Sequence, residues 1–537
     1  MIAVSSGWVN AHQEMLLPEM FLELTYRATE PGLQQDASSS ATGGSIFSDA
    51  AALVDGMPKN SERYGTLEHG IWGLDGEFSY FDETPTDPGY VSAALSDASC
   101  AFATTPVITI NLASQHTALI PGITIAWSEA FNEWATDFRV TAYNSNYLVA
   151  QKTITDNTSP VSVVWMDLSV YTRITVEILR WSLPYHRARC SSVFLGIERV
   201  YGKGDLLGFE HTQTADLLSA ALPKNAITFR LRNDDDRWNP DNPAGVERYL
   251  LERQEVRLRY GMTVGEKTEW IKGGTFWLSE WSTPANGIEA SFSARDAIEF
   301  MHEEYAGPRS GTLYDIAIRA FEQANLPLLD DGSVRYVVHD ELRNLTTDFS
   351  GDDSQYSVAE VIQMVAHAGN CTMHQNSEGV FLVKPWVSKY DGYIIEPRIS
   401  YSHPEYAISK PLKAVSVGYG DAQGEAYVAS GTGEGEVLTA YNVLLRTQDD
   451  AVRVGKHTCE MLLHRKMISG EFRADVRLEV LDNIIVSSKY ASNIIVVTEI
   501  GYSTTGGALR GKYSGRVASI SLKPADLRSN EIFSGEV

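Results

Sequence analysis

From about residue 65 to 201 apolar and polar residues alternate in runs with a period of two. In RITVEILRW, Ile174, Val176 and Ile178 fall on one face and Thr175 and Glu177 on the other, the pattern of a half-buried strand. VITINL (107–112), DFRVTAYN (137–144) and VSVVWMDL (161–168) read as strands too, and turn signals at Ile120-Pro-Gly122 and Asp156-Asn-Thr-Ser159 separate the runs. An antiparallel β-sandwich over 65–205 follows. Further along, Phe229 and Leu231 alternate with Arg230 and Arg232 before a polar turn rich in Asp, Asn and Pro. With EVRLRYG (255–261) and GTFWLSEW (274–281) these residues predict a second β-domain over 206–305, after a Gly-containing hinge at 201–208.

The period changes to 3.6 in two places. In TLYDIAIRAFEQANLP, Thr312 and Asp315 give a capping-box-like start, Leu313, Ile316, Ala317, Ala320 and Phe321 form the apolar stripe, and Pro327 sets the stop. In SVAEVIQMVAHAGN, Ser357 and Glu360 fit the capping box, Val358, Val361, Ile362 and Val365 form the stripe, and Gly369 suits a left-handed position after the end. A hairpin turning at Asn376–Gly379 follows, which makes 306–397 an α+β segment. The remainder, 398–537, reads as β-rich with one helix near 449–467 and a Gly-rich loop at 429–436. Residues 1–64 read as an apolar strand, MFLELTYRATEPG, and a polar extended arm that lies across a neighbouring domain or subunit. The fold class is therefore mainly β and multidomain, a β-sandwich joined to α+β domains.

At 537 residues, three to four such units are the natural count. The net charge of −25, from 44 basic and 69 acidic side chains, repels a polyanion and argues against direct nucleic-acid binding. Cys100, Cys190, Cys371 and Cys459 form no CxxC pair and read as reduced core thiols. No run approaches the ~20 apolar residues of a membrane span, and the first 20 residues lack a signal-peptide pattern, so folding in a cytoplasm is expected.

Catalytic signatures such as HExxH, GxSxG and the phosphate-binding GxxxxGK[ST] do not occur, and no catalytic, cofactor-binding or metal-ligating residue is expected. The GTGEGE run at 431–436 lacks a strand-turn-helix setting and reads as a loop. His457 and His464 are too far apart along one helix to share a metal. Asp234, Asp235, Asp236, Asn239 and Asp241 have the oxygen chemistry of a Ca²⁺ loop but not the EF-hand spacing, and turn capping is the favoured use. A hydrolase would need two carboxylates in different environments, for which Asp75, Glu77, Asp82 and Glu83 near Trp72 and Tyr80 are the place to look. For glycan contact the sandwich offers Trp127, Trp134, Trp181, Tyr185, His186 and Arg187, rings and planar donors suited to sugar faces and hydroxyls.

Three stretches resemble bacteriophage tail-tip and baseplate hub proteins. FRLRNDDDRWNPDNPAGVERYLLERQEVRLRYG, continued by KGGTFWLSEW and SFSARDAIEFM, is similar to their strand, Asp-rich turn and Val-Arg-Leu strand pattern. YSVAEVIQMVAHAGNCTMHQNSEGVFLVKP looks like their helix-then-hairpin segment, and 470–516 is similar to their closing β-domain. Within 65–201, ITVEILRWSLPYHRARCSSVFLGIERV resembles galactose-binding, discoidin-like jelly rolls of the kind tail proteins insert. The resemblance implies a virion protein: a homotrimeric ring at the end of the tail tube, joined to tube, distal and tip or fibre proteins, opening at DNA ejection. It also implies possible contact with host-surface glycans. The competing reading is a glycan- or peptidoglycan-degrading enzyme with the sandwich as an accessory. A secreted adhesin would need the absent signal peptide and ranks last.

Overall fold

The computed structural model describes the chain apart from residues 15–18, 47, 55–67, 71–88, 129, 240, 243–244, 266, 283–286, 330–331, 421–423, 490, 506–507 and 519–537. Its spine is one 13-stranded sheet. From one edge the strands run Ile197–Tyr201, Met20–Ala28, Glu255–Val264, Lys267–Ser282, Glu289–Arg295, Lys224–Arg232 and Leu206–Thr214. They continue through Ser492–Thr505, Ala508–Val517 and Lys466–Arg473 to Glu405–Ile408, with Asn483–Ser487 and Ile394–Ile395 branching from Ser492–Thr505. The alternation read at 229–232 is realised here: Phe229 and Leu231 are buried while Arg230 and Arg232 point out.

This sheet departs from the linear division expected for 206–305 and 398–537. Leu206–Thr214 pairs antiparallel with Ser492–Thr505, His211 opposite Tyr502, so the two stretches share a sheet and one core that includes Phe229, Phe276, Ile484 and Tyr502. The arm differs as well. Ala37–Ala41 is the edge strand of the sandwich, with Ser39 opposite Ile110, so that domain gathers residues well before 65.

The sandwich packs a five-stranded sheet (Ala37–Ala41, Val107–His116, Tyr171–Trp181, Ala135–Asn144, Tyr147–Ile154) against a three-stranded one (Ser192–Phe194, Ile120–Ala126, Val161–Leu168). Ile174, Val176 and Ile178 face the core, as their period demands. The Ile120-Pro-Gly122 turn signal is instead the start of a strand: Gly122 has φ +143 at a register shift, and a Cβ there would lie 1.9 Å from the Val164 carbonyl oxygen. The Asp156 turn is real, with Asp156 at φ +55 between two strands.

A third core gathers Leu313–Ala324, Val358–Ala368 and Gln448–Met461 around two small sheets. Both expected caps form, Thr312 accepting from Asp315 N and Ser357 closing a full capping box with Glu360. Two stops differ from expectation. Asn325, at φ +47, ends the first helix before Pro327 is reached. After the second, Asn370 takes the left-handed position, while Gly369 has φ −88 and is small because Leu342 Cδ2 would meet its Cβ at 2.2 Å. The helix expected near 449–467 ends at Met461, and Lys466 already begins a strand.

Candidate functional site

Two regions are candidates: the joint where the sandwich meets the spine, and the end of the sandwich that carries Tyr185. The joint is short. Met20–Ala28 and Ile197–Tyr201 are antiparallel neighbours, with Ala28 opposite Ile197, so the whole of 29–196 leaves and returns at adjacent points on the sheet edge. Gly196 closes the return at φ +148, where a Cβ would lie 2.6 Å from the Ala28 carbonyl oxygen. Across the joint the half-buried Trp165 packs against the spine core, with the Arg199 guanidinium 5.0 Å from its ring centre. Gln254 Nε2 donates to Thr29 O at 3.0 Å, and Arg248 Nη2 donates to Asp167 Oδ1 at 3.2 Å.

At the other region the six residues expected to touch glycan separate. Trp127 and Trp181 are 0 % exposed and edge-on to each other, ring centres 6.1 Å apart. Trp127 Nε1 donates to Ser162 Oγ at 2.8 Å. These rings are core and present no face to a ligand, which corrects the expectation for both; alternation assigns a Trp to a face without saying which face is inside. His186 is buried too. Trp134 is half-buried, its Nε1 donating to Asn157 O at 2.8 Å. Tyr185, at φ +62, is 45 % exposed, and Arg187 is half-buried with Nη1 donating to Ser92 O at 2.8 Å. Tyr185, Trp134 and Arg187 are thus the members of the set with accessible surface.

Beneath Tyr185 lies a buried ionic network that the sequence reading missed. Glu133 accepts from Trp181 Nε1 at 2.7 Å and from His186 Nδ1 at 2.9 Å. Glu68 accepts from Arg187 N at 2.9 Å and from both terminal nitrogens of Arg189, whose guanidinium lies 4.3 Å over the Phe131 ring. Burial disfavours a charged His186, but the hydrogen bond and charge of Glu133, the His69 carbonyl and Glu68 outweigh it and hold the imidazole above its ordinary pKa. The signal in the sequence was Arg187-Ala-Arg189 beside Cys190, which form a largely buried strand, since a buried guanidinium requires carboxylate partners.

Several acceptors of the Asp-rich turn are used locally: Asn233 Oδ1 accepts from Trp238 N at 2.9 Å, Asn239 Oδ1 from Asp241 N at 3.0 Å, and Asp235 pairs with Arg237. Trp238 is buried against Phe292, ring centres 4.9 Å apart. Among the described residues no group of three or more His, Cys, Asp or Glu is arranged to hold a metal ion. The GTGEGE loop joins two strands, and Gly435 at φ +124 sits where a Cβ would be 2.0 Å from Pro411 O. Asp75, Glu77, Asp82 and Glu83, with Trp72 and Tyr80, lie outside the described residues. No helix among the described residues is long and apolar enough to cross a membrane.

No family model and no curated protein matches the sequence. Solved structures do, and phage tail proteins are among them. The 43 kDa tail protein of prophage MuSo2 from Shewanella oneidensis aligns at 11% identity over 59% of this chain and 94% of its own, with a TM-score of 0.40. The E. coli c3393 protein, a component of the type VI secretion system, aligns at 12% identity over 60% of this chain and 76% of its own, TM-score 0.35. The family 32 carbohydrate-binding module from C. perfringens NanJ, solved with galactose, aligns at 15% identity over 33% of this chain and 99% of its own, TM-score 0.20. These are likenesses of fold.

Proposed function

We propose that this chain is a structural component of a phage tail tip or baseplate hub, whose continuous sheet joins it to neighbouring tail proteins and whose sandwich is held out as an arm. The observation that carries the reading is the union of distant segments. The stretches at 229–301 and 470–516, each similar to hub proteins in sequence, lie on strands of one sheet joined at Leu206–Thr214 and Ser492–Thr505. The sandwich enters and leaves that sheet at one paired edge, so it is an insertion that leaves the spine continuous. On this reading three copies close the end of the tail tube, the assembly resides in the virion, and its function lies in its interfaces rather than in turnover. The test is mass and symmetry of the full chain by light scattering and negative-stain class averages, alone and with the adjacent tail proteins. A threefold ring in either condition supports the proposal, and a monomer in both overturns it.

Contact with a host-surface glycan is a second part of the proposal, favoured by the exposure of Tyr185 beside Arg187. Tyr185→Ala should abolish retention on host cell-wall polysaccharide without changing the melting temperature. Undiminished retention would remove Tyr185 from the account.

A further inference from the structure

His186 Nδ1 faces the Glu133 carboxylate at 2.9 Å, and Nε2 faces the backbone carbonyl oxygen of His69 within hydrogen-bond distance. Both partners are acceptors, so both ring nitrogens must carry hydrogen, a condition only the imidazolium meets. In the neutral ring one of the two pairs sets lone pair against lone pair. The carboxylate, the stronger acceptor, keeps the remaining proton at Nδ1, so deprotonation breaks the hydrogen bond from Nε2 to the His69 carbonyl.

We propose that His186 is a proton-operated clamp that fastens Glu68 and His69 to the end of the sandwich, closed when the imidazole is protonated and loosened when it is not. The surrounding charges fit this role from every side. Glu133 lies before the strand Ala135–Asn144, and Arg187 and Arg189 belong to the strand Arg187–Cys190. Glu68 comes within 4.0 Å of His186 Nδ1 while accepting from Arg189, and Arg189 Nη1 is also 3.5 Å from Glu133. The His69 ring stands edge-on to Tyr185 at 5.9 Å, and Ser96 Oγ accepts from His186 N at 3.1 Å. Protonation therefore places a positive charge between two buried carboxylates, which stabilises both. Because the folded state raises the affinity of His186 for its proton, the clamp is fully closed below the ordinary histidine range and opens as pH rises through the higher folded value. Opening frees His69 from beneath Tyr185, so the clamp sets the mobility of the surface that carries Tyr185.

Hydrogen exchange of the full chain by mass spectrometry, between pH 6 and 9 and corrected for intrinsic rates, tests this. Protection of fragments carrying 68–70 and 186–190 should fall as pH rises across that range, because the clamp loses its proton there. In His186→Gln the protection should be low and flat with pH. Wild-type protection that does not change, or an unchanged slope in His186→Gln, overturns the proposal. Should that variant not fold, exchange of the His186 C2 hydrogen in the wild-type chain decides. A titration midpoint above that of a free histidine peptide measured alongside supports the clamp, and a midpoint at or below it refutes it.

Discussion

Replacing residues 29–196 by Asn-Gly, so that Ala28 turns directly into Ile197, should leave the 13-stranded spine folded. The two residues face each other across an antiparallel ladder whose register runs from Leu24 opposite Tyr201 to Ala28 opposite Ile197, and a two-residue type I′ turn closes such a pair with the right twist. The cost follows from the interactions at the joint. Trp165, half-buried, gives up roughly half the 3–5 kcal/mol of a fully buried Trp, about 2 kcal/mol. The Gln254 to Thr29 hydrogen bond adds about 1 kcal/mol. The exposed Arg248–Asp167 pair adds no more than about 0.5 kcal/mol. The Tyr249 hydroxyl also loses its hydrogen bond to Asp167, about 1 kcal/mol more. The sum, about 4 to 5 kcal/mol, is a substantial share of the ~5–15 kcal/mol of a typical folded protein, so the spine should stay folded with a reduced margin. Urea unfolding followed by far-ultraviolet circular dichroism should show one cooperative transition with a midpoint lowered accordingly. An excised chain without a cooperative transition would refute the reasoning, because it would show the sandwich to be part of the spine's core rather than an insertion.

Other consequences are tests of single groups. Burial pushes the carboxyl of Asp296 up to about 7, with Oδ1 accepting from Ile298 N and Oδ2 unpartnered. An acid whose folded pKa is raised binds its proton better when folded, so wild-type stability falls between about pH 4 and 7. Asp296→Asn should match wild type near pH 4 and exceed it above pH 7 by up to about 4 kcal/mol in chemical denaturation; equal stability at pH 8 would contradict the burial argument. Burial pulls His211, His367 and His374 down to about 4, so each contributes stability that is present above the ordinary histidine pKa and lost as pH falls toward 4. At about 3 kcal/mol each, acid unfolding should begin between about pH 6 and 4, and an unfolding free energy flat over that interval would rule this out. Gly369→Ala drives a methyl into Leu342 and should cost about 1 to 3 kcal/mol, read as a lowered melting temperature, while a neutral change would mean that Leu342 repacks freely.

What could be read from the sequence is what neighbours in the chain decide. The capped helices at 313–324 and 358–368 were legible because cap and apolar stripe lie within a few turns of each other, although the left-handed residues that end them, Asn325 and Asn370, were not. The strand faces at 174–178 and 229–232 were legible because a period of two needs only a few residues. The meeting of Leu206–Thr214 with Ser492–Thr505 was not, since either could have been an edge and nothing local selects its partner. The burial of two of the candidate rings escaped the sequence for a related reason. Trp127 and Trp181 have the chemistry of sugar-stacking rings and the chemistry of core, and only the packing of the second sheet decides between them. Glu68, Glu133 and Arg189 are held together by charge across distant parts of the chain, which no periodicity records.

The burial of those rings limits how tightly one sandwich can hold a sugar, and the limit links the two parts of the proposed function. If the proposed glycan contact holds, with Trp127 and Trp181 in the core, stacking would fall to Tyr185, next to the partly exposed Arg187. One exposed aromatic contact and one or two hydrogen bonds, set against the cost of association, leave on the order of 4 kcal/mol, a dissociation constant near millimolar. A single arm of that affinity would not hold a particle to a cell, whereas three arms on one ring, each binding at the effective concentration set by the others, would gain about a hundredfold or more. Surface plasmon resonance on immobilised host polysaccharide should therefore show weak, fast binding for a monomeric form and slow dissociation for the ring. Micromolar binding by a monomer would refute this limit and require a further contact surface on the sandwich.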